Sequence, residues 1–208
     1  MLHPNGTNAM SKTHFTRALA ALSLALATLG AQAADASLSG QLVLDTDVVF
    51  IDFTLASAGS VEFWTDSWKS GLNFDPTLSL FDATGLLLVT GDDTPDPAAL
   101  HPGQGGYDSE IALSLAAGHY RLALSASGND PLGLTLADGF SLQGTTPIRL
   151  DQWTQPSSDI NYNDQKGGDW ELHLDGVGTA GVVPEPGEAL LMLSGLAALA
   201  AGLRRQRR

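Results

Sequence analysis

Cysteine is absent from the 208 residues. Its absence excludes disulfides, thiolate metal sites, CxxC redox chemistry and a thiol nucleophile, so the fold must stand on its apolar core or on a bound metal. Basic residues are scarce: ten Lys and Arg stand against 23 Asp and Glu, a formal charge of −13. Residues 34–180 are more one-sided, with 21 acids against the four bases Lys69, Arg121, Arg149 and Lys166, or −17. Such a surface repels nucleic acid and anionic membrane, and it suits divalent cations or simple solubility. Helical periodicity is missing from the same segment, as are the G-x-S-x-G, H-E-x-x-H, P-loop and dinucleotide signatures. His101, His119 and His173 are scattered, the last two in strand-like runs where surface positions are expected. Paired carboxylates would serve a glycan hydrolase, but among 21 acids some pair always looks suggestive, so no catalysis is expected.

Long apolar runs are confined to the two ends. After the weakly basic Lys12, His14 and Arg17, residues 18–30 form an apolar stretch of 13, followed by the small-x-small triplet Ala31-Gln32-Ala33. This reads as a secretory signal peptide over residues 1–33, cleaved between Ala33 and Ala34, with either Met1 or Met10 as the start. At the other end, Pro184, Glu185 and Pro186 precede the 15-residue apolar run 189–203, and Arg204, Arg205, Arg207 and Arg208 follow. That run spans roughly 22 Å as a helix, short for a membrane span. The arginines would hold its far end on the cytoplasmic side.

This ordered set resembles the PEP-CTERM class of bacterial surface proteins. The resemblance implies a membrane transpeptidase of the exosortase type as partner, which processes the tail near the tripeptide. It also implies a Gram-negative host with an extracellular polysaccharide matrix. The inner membrane is then a transient contact through the C-terminal helix, and the mature protein resides on the cell surface or in the matrix.

Residues 34–180 alternate with period two. Val49, Ile51, Phe53 and Leu55 share one face, as do Val61 and Phe63, Leu78 and Leu80, and Ile111, Leu113 and Leu115. Tyr120, Leu122 and Leu124 do the same, as do Trp170, Leu172 and Leu174, while residues 86–90 read as a short buried strand. Turn signals at Ala58-Gly59, Thr84-Gly85, Ala117-Gly118, residues 127–131 and Gly167-Gly168 separate the runs. Eight or nine short strands predict an all-β fold, an antiparallel β-sandwich or jelly roll, with a signal helix before it and a hydrophobic sorting helix after it. The expected domain covers 34–176, followed by a flexible spacer over 177–183 and the sorting signal over 184–208.

The phrases FDPTLSLFDATGLLLVTGDD (74–93) and YDSEIALSLAAGHYRLALSASGND (107–130) resemble bacterial pre-peptidase C-terminal domains. The resemblance spans about residues 47–130 and implies a β-sandwich that serves as an accessory or binding module. Within it, Asp75, Asp92, Asp93, Asp108 and Glu110 are candidate Ca²⁺ ligands, with Asp96 nearby, because Ca²⁺ collects carboxylate and carbonyl oxygens from loops. The competing reading is turn-making, which favours Asp in loops without any ion. Asp159, Asn161, Asn163, Asp164 and Asp169 form a second oxygen-rich stretch, expected as a disordered polar loop, with an ion or sugar site as the alternative. Trp68 and Trp153 fall in loops and are candidate platforms for stacking polysaccharide sugar rings, against a packing role as rim aromatics. The expected function is an exported, non-catalytic surface or matrix protein that takes Ca²⁺ or polysaccharide. A purely structural adhesion component is the alternative and a glycan hydrolase the third reading.

Overall fold

The computed structural model describes residues 34–155 and 166–183. The signal peptide, the sorting signal with its tripeptide and arginines, and Asp159 to Asp164 of the second oxygen-rich stretch lie outside the described residues.

Among the described residues, nine strands form two antiparallel sheets. They are β1 (Ala34–Gln41), β2 (Val48–Leu55), β3 (Gly59–Thr65), β4 (Pro76–Asp82), β5 (Leu87–Gly91), β6 (Glu110–Leu115), β7 (Gly118–Ala126), β8 (Asp169–Val177) and β9 (Thr179–Val182). One sheet runs β1-β8-β3-β6 and the other β5-β4-β7-β2-β9. The fold is the sandwich that the alternation implied. Ile51, Phe53, Leu55, Val61, Phe63, Leu122, Leu124, Leu172 and Leu174 meet between the sheets, each at most 5% exposed. Their outward neighbours Asp52, Glu62, Arg121, Glu171 and His173 face away from that core, as strand geometry requires.

Two local expectations are corrected, and one strand was not expected. The run 86–90 is not a buried strand: among the named strands β5 pairs with β4 alone, at the sheet edge, its start is bonded to residues 134 and 135, and Leu86 and Leu88 are left at 43% and 41% exposure. Residues 177–183 are not a spacer, because β9 pairs with β2 from Thr179 opposite Thr54 to Val182 opposite Ile51. Small residues suffice there, since an edge strand is held by its main-chain ladder. β1 was not anticipated either. It pairs with β8 over its whole length, and its Gly40 lies against the Trp170 ring, where a Cβ would come within 2.6 Å of the indole.

The turn at Thr84-Gly85 forms as expected. Gly85 takes φ +84°, and Asp82 Oδ1 accepts from Thr84 Oγ1 (2.7 Å), Thr84 N (2.8 Å) and Leu86 N (3.0 Å). Those bonds, the Thr84 hydroxyl first, hold the Asp82 carboxyl below the usual range. A second, smaller core covers the outer face of the five-stranded sheet, where Phe81 and Ala123 pack against Phe140. This is why β4 is buried on both faces although its sequence alternates.

Candidate cation-binding surfaces

Strand register places the predicted acids at one end of the sandwich. Pro76 lies opposite Ala126, Leu78 opposite Gly91, and Trp64 opposite Glu110. Asp75, the pair Asp92-Asp93, the pair Asp108-Ser109 and the turn through Asp130 therefore sit together. Ser109 ties the two sheets there: its hydroxyl faces the carbonyls of Pro76 (2.6 Å), Asp92 (3.0 Å) and Gly91 (3.1 Å).

The five predicted ligands do not form one shell. Asp108 is fully buried, and its carboxylate is occupied by protein donors. Oδ1 accepts from Ser67 N (2.6 Å), Thr65 Oγ1 (2.9 Å) and Trp68 N (3.0 Å), and Oδ2 from Gly105 N (2.8 Å). Burial pushes this carboxyl up, and the four donors pull it partly back. Asp108 thus latches the end of β3 to the long loop before β6. The turn it secures is strained, with Lys69 and Ser70 at φ 50° and 56°. Asp75 is 2% exposed, and its main chain is bracketed by Gln155, which accepts from Asp75 N (3.0 Å) and donates to Asp75 O (2.8 Å). Glu110 faces outward with Glu62 and His101. Asp96 caps its own turn, accepting from Ala98 N (3.0 Å).

What gathers at the end is Asp92, Asp93 and Asp130. Burial and then the Asp92 charge push the Asp93 carboxyl up, and the same two causes raise Asp130. Asp92 Oδ1 accepts from Thr77 Oγ1 at 2.5 Å. Asp130 was read only as part of a turn signal; that it neighbours Asp92 follows from β7 pairing with β4, which the sequence does not spell out. The four Lys and Arg of the described residues are engaged elsewhere. Lys69 pairs with Asp66, Arg121 with Asp52, Arg149 with Asp151, and Lys166 donates to the Trp153 carbonyl.

A second group, not anticipated from sequence, covers the outer face of the four-stranded sheet. Trp64 points outward yet is 8% exposed, because His173 of β8 stacks on it at 3.7 Å and His101 of the long loop at 4.3 Å. Its Nε1 donates to Asp175 Oδ2 at 3.2 Å. Around the indole lie two triads of ligand-type side chains: Glu62, His101 and Glu110, and Asp66, Glu171 and His173. The signal for them was present in the outward positions of β3 and β8, once those strands are known to be neighbours.

The two tryptophans expected as sugar platforms are both partly covered. Trp68 lies beside Tyr107 (4.8 Å between centroids) and under Gly105, where a Cβ would meet the indole at 2.4 Å. Trp153 packs against the main core. Asp169, at the start of β8, accepts from Gln41 Nε2 at 3.0 Å. A depression of about 780 Å³ lies elsewhere, around Asp52, Tyr120, Arg121 and Thr179. Among the described residues no helix is long and apolar enough to cross a membrane.

No family model matches the sequence, and no curated protein matches it either. Among solved structures, the chain is similar to the pre-peptidase C-terminal domain of a collagenase from Bacillus anthracis. The TM-score is 0.38 at 13% identity, covering 68% of this chain and 89% of that one. The two-sheet assignment rests on the strand pairing observed here.

Proposed function

We propose that the protein is an exported, non-catalytic surface or matrix component whose sandwich binds Ca²⁺ at the end carrying Asp92, Asp93 and Asp130. One observation carries the binding part: the Asp92 charge, after burial, raises the carboxyls of both Asp93 and Asp130, and every Lys and Arg of the described residues is committed elsewhere. Three like charges in one place destabilise the fold, and an oxygen-seeking dication relieves them. Export and sorting rest on the sequence alone: the signal peptide, the Pro184-Glu185-Pro186 tripeptide, the apolar run and the terminal arginines. In this reading an exosortase-type enzyme removes the tail and leaves the domain in a polysaccharide-rich matrix, with Ca²⁺ as the link to acidic polymer.

The test is a thermal melt of the full chain with Ca²⁺ and then with chelator. Ligand that binds only the folded state adds about 2.7 kcal/mol at one hundred times its Kd. A rise in midpoint that disappears in the double variant Asp92→Ala, Asp93→Ala supports the site. An unchanged midpoint at millimolar Ca²⁺ overturns it and leaves a structural adhesion component. Sorting is checked by mass spectrometry of the surface-exposed protein, where an intact C-terminus ending at Arg208 refutes tail removal.

A further inference from the structure

We propose that Asp66, Glu171 and His173, on the outer face of the four-stranded sheet, bind a divalent transition-metal ion of the zinc class. The site is separate from the Ca²⁺ end in both its residues and its ligand chemistry.

The three side chains come from neighbouring strands. Thr65 of β3 lies opposite Leu172 of β8, and just past β3 the Asp66 amide donates to the Glu171 carbonyl at 3.3 Å. Main-chain pairing therefore fixes the three Cα positions. His173 Nε2 lies 3.8 Å from Asp66 Oδ1 and 3.9 Å from Glu171 Oε1. Both separations exceed hydrogen-bond length. Asp66 Oδ1 and His173 Nε2 are shielded from solvent, and neither has a hydrogen-bond partner among the described residues. Two buried polar atoms left open to each other are costly unless something lies between them. Ligands at about 2.0–2.1 Å around a tetrahedral zinc ion stand about 3.3 Å apart, so the two separations from His173 need to close by only about half an ångström, and all three ligand atoms already lie within 4.8 Å of one another.

The surroundings prepare the imidazole. His173 Nδ1 lies 2.9 Å from Ser37 Oγ, and with Nδ1–H donated to that hydroxyl, the Nε2 lone pair points into the group. Trp64 stacks on the ring at 3.7 Å and 12°, which holds its plane. The other oxygen of Asp66 pairs with Lys69 at 3.3 Å, which leaves Oδ1 facing the site. Glu171 is 45% exposed and forms the solvent side, where a fourth ligand would enter. One imidazole with two carboxylates suits zinc and its neighbours, whereas Ca²⁺ prefers six to eight oxygens. The companion triad on the other flank of Trp64 is a weaker case. There His101 Nε2 is already within hydrogen-bond distance of Glu62 Oε1, at 3.1 Å.

The experiment titrates full-length protein with zinc chloride by calorimetry, in excess Ca²⁺ so that the acidic end is already satisfied. One zinc ion per chain is expected. His173→Ala and Asp66→Asn should each weaken it at least tenfold, and Ser37→Ala should weaken it less because it acts only through the ring. His119→Ala, on the other sheet, and the double variant Asp92→Ala, Asp93→Ala should leave zinc binding unchanged. Circular dichroism verifies folding of each variant, and Ser37→Ala keeps the test open if His173→Ala fails to fold. No zinc binding in the wild type, equal binding in His173→Ala, or binding lost in His101→Ala but kept in His173→Ala would each overturn the proposal. Because Ca²⁺ binding is read separately, either proposal can fail alone.

Discussion

Asp108 offers a quantitative test of how this end of the sandwich is built. Its carboxylate is fully buried and faces three backbone amides and the Thr65 hydroxyl. Asp108→Ala removes the acceptor from all four donors at once. A buried donor left unpaired costs about 1–3 kcal/mol, and water entering the vacated space recovers part of it, so the loss should be about 3–5 kcal/mol. For a domain of this size that is a fall of roughly 10 °C in melting midpoint. Asp108→Asn should behave differently. Its oxygen can keep the three Oδ1 donors while its NH₂ group meets only the Gly105 amide, which limits the loss to about 1–2 kcal/mol. Urea melts of the two variants measure the difference, and hydrogen exchange at the Gly105 amide locates it. If Asp108 instead served mainly as a charged cation ligand, Asn and Ala would be nearly equal and their loss would depend on Ca²⁺. Equal losses, or an Ala variant within about 1 kcal/mol of wild type, would refute the latch.

Two further outcomes follow from the charge distribution and the core. The raised Asp93 and Asp130 carboxyls mean that the folded state holds those protons more tightly than the unfolded chain, so stability falls as pH rises through their folded values. Without Ca²⁺, acidifying from neutral pH to just above the ordinary Asp value of about 4 should therefore raise the melting midpoint, and only modestly because both groups are partly solvated; Asp92→Asn should shrink the rise, and a rise unchanged in that variant would sink the coupling. The opposite sign holds for Asp52, whose carboxyl the Arg121 hydrogen bonds hold below the usual range, so its contribution is lost only at lower pH. In the core, Leu124→Ala at a fully buried position of β7 should cost about 2–5 kcal/mol in urea melts, and a loss under about 1 kcal/mol would contradict the packing described.

The strands of the two inner faces were legible because alternation is a local property: the Ile51, Phe53, Leu55 series and the Trp170, Leu172, Leu174 series each declare a buried face within nine residues. β1 and β9 were not, because ADASLSGQ and TAGV carry few apolar residues and gain their conformation from main-chain bonds to β8 and β2. The site shows the same division more sharply. Aspartates at the strand openings announced an acidic end, but only strand order decides what each one faces. The pairing of β4 with β7 brings Asp130 beside Asp92, while the fold turns Asp108 inward onto the amides of residues 67, 68 and 105. Trp64 shows why polarity of position is not exposure. It occupies an outward slot of β3, and it is buried only because a distant histidine of β8 and another from the long loop close over it. Metal-ligand chemistry on this face is therefore a property of tertiary neighbours. Asp66 lies more than one hundred residues from Glu171 and His173 in sequence, and no spacing motif of the kind that marks a helix-borne or loop-borne metal site can span that gap. A search for such sites in all-β chains has to pair the outward positions of adjacent strands rather than scan for short motifs.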